Sequence, residues 1–376
     1  MLKRRLQMGN IGETTLEIDL SALEHNYHYL KSKLSSDTKF LGVVKAFAYG
    51  SDMVIIAQKL ERLGADYLAV AYTKEGVLLR EAGIQIPILV LHPQPVNFDH
   101  LILHKLEPSM YSPKILKEFL EMAQKLGLGN FPIHIKFNTG LNRLGFWEQD
   151  VDHIVEILNG RNEVKVVSIF SHLAASEDPN EKDFSLTQIN TFKKISQELN
   201  EKLGYAPFRH MLNTSGILNY PEAQFEMARC GIGLYGYGNE STIDQELKPV
   251  ATLKTVISQL HQIEPNESVG YNRAFTSDRY RTTATLPLGH ADGIGRQYGN
   301  QKTHVLVHGK KAPIIGNVCM DMIMVDVTGI ACKEGDEVVV FGTEQSAEGF
   351  ANTAGTISYE ILTAISSRVK RVVLNP

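Results

Sequence analysis

A (β/α)₈ barrel followed by a C-terminal, mainly-β domain is the fold that this chain of 376 residues predicts. Two observations carry that expectation. From Thr15 to about Gly238 a short apolar run, a polar corner and an amphipathic stretch recur eight times, and strands alternating with helices imply parallel βα units. After Gly236 to Ser241 the helical period nearly disappears, and short β-type runs punctuated by glycine take over. The domain limits read as 14–240 for the barrel and 241–376 for the second domain, with residues 1–13 packing on the latter.

The eight apolar runs are residues 41–44, 67–71, 87–91, 106–110, 133–137, 166–170, 210–212 and 225–228. Helical stretches intervene at 52–63, 73–82, 113–126 and 186–203, and eight such units in this length fit a closed barrel. Residues 15–34 lead into it. In the second domain the β-type runs are 253–260, 282–288, 304–307, 322–327 and 337–341, and one helix at 356–367 ends the pattern.

Composition excludes several classes of function. With 43% hydrophobic and 21% charged residues and a net charge of −4, the chain has ample core and no basic bias toward nucleic acid or anionic membrane. Its aromatics are not interleaved with basic clusters. Cys230, Cys319 and Cys332 form neither a disulfide framework nor a zinc pattern, so no metal is expected. The basic start at Lys3, Arg4 and Arg5 lacks the apolar region of a signal peptide, and no run is long enough to span a bilayer. A reducing, cytoplasmic location is the simplest reading.

Lys45 is the most informative residue. It ends the apolar run 40–44 and opens Lys45-Ala46-Phe47-Ala48-Tyr49-Gly50. An ammonium at the tip of a buried strand is costly unless it has a partner or a task, and one task is to form a Schiff base with a carbonyl cofactor. An isolated lysine there more often carries its head to solvent. In barrels of this type function gathers at the C-terminal strand ends. There this sequence places Lys45 and Tyr49, Lys136 and Arg143, His172, the group Asn213-Thr214-Ser215-Gly216, and Arg229 ahead of Gly231-Ile232-Gly233-Leu234-Tyr235-Gly236. Hydroxyls and glycine amides after the last two strands suit a phosphate. A lone Gly-x-Gly-x-x-Gly is weak and is as readily a tight turn. A nucleophilic lysine and a phosphate cradle in one barrel point to pyridoxal phosphate (PLP), which carries both an aldehyde and a phosphate.

The chain resembles alanine racemase, the barrel-type PLP enzyme family, nearly end to end. The resemblance rests on Glu17-Ile18-Asp19-Leu20, residues 44–50, 138–145 and 229–236, Val269-Gly270-Tyr271, Gly289-His290-Ala291-Asp292-Gly293, Gly316-Asn317-Val318-Cys319-Met320-Asp321 and Ile357-Ser358-Tyr359-Glu360, all in the same order. It implies that Lys45 holds PLP and serves as one acid/base group. It implies a phosphate site of Tyr49, on the same face of a helical turn as Lys45, with Asn213, Thr214 (where the family usually has Ser), Gly231, Ile232 through its N–H, and Tyr359. It places Arg229 against the pyridine nitrogen. Arginine stays protonated and donates, so the ring nitrogen remains without a proton and side reactions such as transamination are disfavoured.

By the same resemblance Tyr271, from the partner subunit of a homodimer, is the second acid/base group on the opposite face of the substrate. A phenol normally titrates near 10 and needs cations or hydrogen bonds nearby, with His172 the candidate neighbour. Arg143 and the N–H of Met320 bind the substrate carboxylate, Asp321 orients the loop, and Lys136 matches a position often carbamylated. Three departures stand out: His290 for the usual tyrosine at the substrate entrance, Phe47 after Lys-Ala, and Asn138 for the usual Asp. The implied activity is interconversion of L- and D-alanine by two bases, supplying D-alanine for peptidoglycan. A PLP decarboxylase on the same barrel typically has an acid where Arg229 stands. A non-catalytic PLP-binding barrel lacks the segment after Ser241. A degenerate racemase module serving as a structural partner stays open.

Overall fold

The computed structural model describes residues 13–238 and 245–376, which divide into two compact units. The barrel unit takes Leu23–Ala48 and the described part of Met53–Leu247. The second unit takes the described part of Met1–Ala22, Tyr49–Asp52 and Lys248–Pro376. The sequence readings on residues 1–12 and on the join at 239–244 lie outside the described residues.

The chain opens with β1 (Thr15–Asp19) and helix α1 (Leu20–Ser32). Eight strands then close a parallel barrel in sequence order: β2 (Lys39–Val43), β3 (Tyr67–Val70), β4 (Ile88–Val90), β5 (Glu107–Met110), β6 (Phe131–Lys136), β7 (Val164–Phe170), β8 (Phe208–His210) and β9 (Met227–Cys230). Closure comes from β9 returning to β2, in the register Lys39↔Met227 to Gly42↔Cys230. Strands such as β3 and β4 are buried at every position, as strands covered on both faces must be, which is why they read as unbroken apolar runs. Each expected run holds one strand, shifted by at most two residues.

Helices α2 (Met53–Arg62), α3 (Thr73–Glu81), α4 (Phe98–Leu103), α5 (Pro113–Lys125), α6 (Val151–Leu158), α7 (Lys182–Leu203) and α8 (Thr214–Asn219) connect the strands. The helix α5 shows why. Pro113 presets the first turn, the Ser112 hydroxyl accepts from the Ile115 N–H at 3.3 Å, and Ile115, Leu116, Phe119, Leu120 and Ala123 form the buried stripe. Phe119 meets Phe98 of α4 edge-on, with ring centroids 5.1 Å apart.

The second unit is built on a nine-stranded sheet. Its strands are β10 (Ala251–Val256), β11 (Gln259–Ile263), β14 (Arg281–Leu286), β15 (His304–Val307), β16 (Lys310–Ile315), β17 (Ile323–Asp326), β18 (Glu337–Phe341) and β19 (Lys370–Leu374), together with β1. The two short strands β12 (Ser268–Val269) and β13 (Phe275–Thr276) form a separate ribbon. Two helices, α9 (Ala347–Asn352) and α10 (Ser358–Ala364), precede β19.

Three expectations are corrected here. The strand β1 does not lead the barrel; it pairs antiparallel with β10 and parallel with β19 in the second unit. A start at residue 14 therefore places that strand in the wrong sheet. The single terminal helix is two short helices followed by a strand. The strand β16 escaped notice because Lys310 and Lys311 are exposed and Pro313 interrupts its apolar pattern. No helix among the described residues is long and apolar enough to cross a membrane.

Gly50 has a positive φ of 80°, and a Cβ there would lie 2.0 Å from the Leu362 carbonyl oxygen of α10. Gly50→Ala should therefore lower the midpoint of thermal unfolding by roughly 5 °C, through strain and a displaced α10. A scan superimposable on that of the parent would contradict the close approach.

Candidate active site

In the barrel unit the expected polar residues do converge on the C-terminal strand ends. Lys45 follows β2, but the turn it opens is not a right-handed helical one. Ala46, Phe47, Ala48 and Tyr49 have φ of 53°, 55°, 52° and 53°, a left-handed turn without a glycine in it. Such a conformation costs about 1–2 kcal/mol per residue, so other contacts must impose it. The Ala48 N–H bonds back to the Val44 carbonyl at 3.0 Å. Glu75 of α3 accepts from the N–H groups of Ala46 (2.7 Å), Ala71 (2.7 Å) and Tyr72 (3.1 Å). The expectation that Lys45 and Tyr49 share a helical face is thus replaced by a left-handed spacing. Sequence reasoning also missed Glu75; its only signal was an acid in the first turn of a helix.

Arg229, in β9, is 5% exposed. Its guanidinium donates to the Ser171 carbonyl (2.7 Å), the Met211 carbonyl (3.0 Å), the His172 Nδ1 (3.0 Å) and the His210 Nδ1 (2.6 Å). Guanidinium only donates, so both imidazoles present a lone pair there. Burial, then the Arg143 charge, pulls Arg229 down to about 9, which leaves it a cation at neutral pH. His172 is held well below its ordinary value by burial and by Arg229, Arg143, Lys136 and Lys45.

Lys136, at the end of β6, is buried with its ammonium 5.8 Å from the Phe170 ring centroid. Burial and then Arg143, Arg229 and Lys45 pull it down to about 7. Lys45 is lowered by burial and Arg143, with Glu75 opposing. Arg143 lies in the loop after β6, which Asn138 shapes by accepting from the N–H groups of Gly140 (3.2 Å) and Asn142 (2.9 Å). Lys45, Lys136 and Arg143 have no hydrogen-bonded acceptor among the described residues. Three such cations beside a buried fourth repel one another, and the arrangement calls for anions.

A second feature lies after β8 and β9. Asn213 caps α8 by accepting from the Gly216 N–H at 2.9 Å. The Thr214 Oγ1 accepts from the Gly231 and Gly233 N–H groups at 3.3 and 3.2 Å, which leaves its own proton to donate. The Ser215 hydroxyl is directed to the Gly238 carbonyl at 3.3 Å, so Thr214 is the hydroxyl on offer. The Ile232 N–H has no acceptor among the described residues. A Cβ at Gly233 would sit 2.5 Å from the Thr214 Cγ2, so glycine is needed for the approach.

In the second unit Tyr49 and Tyr359 lie with ring centroids 5.9 Å apart, and burial followed by Tyr359 raises the Tyr49 phenol far above its ordinary value. Three loops of that unit form one further cluster. The Tyr271 carbonyl accepts from the Asn317 side chain (3.1 Å), and the His290 and Ala291 N–H groups bond to the Cys319 and Met320 carbonyls (2.9 and 3.0 Å). Arg368 clamps them, donating to Asp292 at 2.6 and 3.1 Å and to Asp321 at 2.7 Å. Arg368 and Asp292 were not anticipated as functional residues, since a salt bridge between distant positions has no local pattern. Tyr271 and Met320 project from this cluster 73% and 58% exposed, and His290 is exposed beside them.

Comparison with known proteins shows what the chain is similar to. Residues 18–239 match the family model "Alanine racemase, N-terminal domain" and residues 250–373 match "Alanine racemase, C-terminal domain". Alanine racemase 1 of Clostridium acetobutylicum is 37% identical over 95% of this chain and 94% of its own length. The Bacillus anthracis alanine racemase solved with bound L-Ala-P superposes with a TM-score of 0.89 at 30% identity, covering 98% of this chain and 96% of that one. The Bartonella henselae alanine racemase with covalently bound pyridoxal phosphate gives 0.88 at 28% identity, covering 96% and 99%.

The depressed lysines make a direct prediction. In cofactor-free protein Lys136 should react with an amine-directed reagent with a midpoint near about 7, and Lys45 below the surface lysines; Arg143→Ala should move both upward. Between about 7 and 10.5 the unfolded chain holds a proton that folded Lys136 has shed, so this residue makes stability rise with pH over that window. Peptide mass mapping across a pH series checks the midpoints, and titrations unmoved by Arg143→Ala would refute the stated cause.

Proposed function

The chain belongs to the alanine racemase family, its reaction is alanine racemisation, and from that premise we propose how its residues divide the work. The observation that carries the assignment is the crowding of Lys45, Lys136 and Arg143, each without an acceptor, around a buried Arg229 at one end of the barrel.

These residues fit pyridoxal phosphate. The Thr214 hydroxyl and the Ile232 N–H are donors suited to its phosphate, and the Nε–H of Arg229, without a partner among the described residues, is the donor suited to its ring nitrogen. Lys45 is its point of covalent attachment; Asn213, Thr214, Gly231 and Ile232 hold its phosphate, with Tyr49 and Tyr359 assigned to the same group. Bound there, pyridoxal phosphate supplies an electron sink that makes the α-proton of an amino acid removable. Arg229 remains a donor toward the ring nitrogen, because four acceptors fix its plane and its depressed value still exceeds neutral pH. The sink is thereby shallow, which favours returning the proton over losing it elsewhere.

Lys45, whose burial and the Arg143 charge favour its neutral form, exchanges the α-proton on one face. Tyr271, supplied by a second copy of the chain, serves the other face. Arg143 and the Met320 N–H hold the carboxylate, while His290 lines the entrance and Asp321, through Arg368, positions the loop. Lys136 is a partly neutral amine beside Arg143. Its attack on carbon dioxide, with loss of one proton, forms a carbamate whose negative charge answers the surrounding cations. We infer a homodimer with shared sites, acting in the cytoplasm to supply D-alanine for peptidoglycan.

Incubation with L-alanine should yield D-alanine, and borohydride should fix the cofactor on Lys45. Tyr271→Phe should slow racemisation by about 100-fold or more, with solvent deuterium exchange lost from one enantiomer far more than from the other. Equal loss from both would rule out two bases on opposite faces. Intact native mass should exceed that of Lys136→Ala by one carbon dioxide beyond the side-chain difference; a spectrum without that increment would remove the carbamate.

A further inference from the structure

Beyond the site, a line of hydrogen bonds crosses the barrel from Arg229 to its far end. The His210 Nε2 meets the Ser168 hydroxyl at 3.0 Å, the Ser168 hydroxyl meets the His134 Nδ1 at 2.5 Å, and the His134 Nε2 meets the Glu107 carboxylate at 2.8 Å. Together with Arg229 to His210, the links step through β9, β8, β7, β6 and β5, ending on the first residue of β5. They run inside the barrel: the His134 ring in β6 contacts Tyr67 in β3, centroids 6.1 Å apart, and Tyr67 contacts Phe208 in β8 at 5.8 Å. Barrel interiors of this type are usually filled by branched aliphatic side chains, so an unbroken polar line is a departure from that rule.

The direction of every proton follows from the two ends. Arg229 can only donate, so the His210 Nδ1 is a lone pair and, in the neutral ring, its Nε2 carries the hydrogen. Burial and Arg229 hold His210 well below its ordinary value, which supports the neutral ring. Nε2–H then donates to Ser168, whose own hydrogen goes to the His134 Nδ1, and the His134 Nε2–H donates to Glu107. A carboxylate accepts at the far end, so all four bonds point the same way. The Tyr67 phenol, raised by burial and by the Glu107 charge, stays protonated beside it, and Arg80 of α3 adds a favourable charge. Glu107 also lines a cavity of about 300 Å³ with Arg80, His104 and Lys105.

We propose that Glu107, acting through His134, Ser168 and His210, is a positioning residue for Arg229: it fixes the tautomer of both rings and so keeps a lone pair facing the guanidinium. With the His210 ring reversed, two N–H groups would face each other across the 2.6 Å contact and Arg229 would turn away. Reversal cannot occur alone, because it requires Ser168 and His134 to reverse and would set a bare nitrogen against the Glu107 carboxylate. The consequence for catalysis rests on the proposed placement of Arg229 at the cofactor's ring nitrogen; the consequence for the rings does not.

Long-range ¹H–¹⁵N spectra of the histidine rings in cofactor-free protein test it. His210 and His134 should both appear as single Nε2–H tautomers. Glu107→Gln, whose amide donates or accepts with equal ease, should show both tautomers at both rings, and Ser168→Ala should do so at His210. In the loaded enzyme Ser168→Ala should shift the visible band of the bound cofactor and lower kcat about tenfold with KM within about twofold, while Ser168→Thr restores both. Nδ1–H signals from either ring in the parent protein overturn the proposal, even if a variant fails to fold. So does an unshifted band with parental kcat in Ser168→Ala while the parent racemises alanine, and in that case the alanine racemase reading stands. Ring tautomers as described in a parent protein that takes up no pyridoxal phosphate would sink the cofactor assignment instead and leave the line of bonds in place.

Discussion

A guanidinium buried at the mouth of the barrel is the constraint from which most of the site follows. An unpaired charge there would be prohibitively costly, so the two terminal nitrogens of Arg229 must meet acceptors. The acceptors are two backbone carbonyls just beyond β7 and β8 and two imidazole nitrogens, all brought to Arg229 by strand register. His210 pairs with Phe170 on one side and Met227 on the other. A slip of one residue in either pairing would send these side chains to the opposite face. Closure of the barrel and satisfaction of one cation are therefore the same event.

The cation in turn adds to the electrostatics of its neighbours, ahead of Arg143 at His172 and behind it at Lys136 and Lys45. Lys45, Lys136 and His172 are each driven below their ordinary values, with burial the leading cause and neighbouring cations adding to it. Lys136, brought down to about 7, is partly neutral near physiological pH, and a neutral amine is a nucleophile and a base, which ordinary surface lysines are not. The left-handed turn at 46–49 belongs to the same economy of strain and function. Its conformation is unfavourable in isolation and is maintained by Glu75 and by the end of β2, so Lys45 sits on a rigid corner and not on a mobile loop.

The second unit solves a different problem, that of holding long loops still while presenting exposed side chains. Close backbone approaches do part of this: a Cβ at Gly289 would lie 2.3 Å from the Met320 carbonyl oxygen. Arg368 does the rest by joining Asp292 and Asp321. Large exposed side chains such as Tyr271 and Met320 on a rigidly tied surface suit contact with another molecule better than solvent.

The eight apolar runs were readable because a strand covered on both faces needs uninterrupted apolar residues, and so the barrel was set by local composition alone. Lys45, Arg143, Arg229, Thr214 and Tyr271 stood out as candidates because their motifs are contiguous. Periodicity could not name the partners of β1: Thr15–Asp19 alternates, as a strand buried on one face does, but only its pairing with β10 and β19 places it in its sheet. It could not show the handedness of the turn after Lys45, which opposes the intrinsic preference of Ala, Phe and Tyr and is imposed by Glu75 from another element. Nor could it join Arg229 to Glu107, because their link passes through single residues on five strands and exists only once the barrel closes. Local chemistry resides in the sequence, whereas a hydrogen bond between distant residues depends on where the fold sets their backbones.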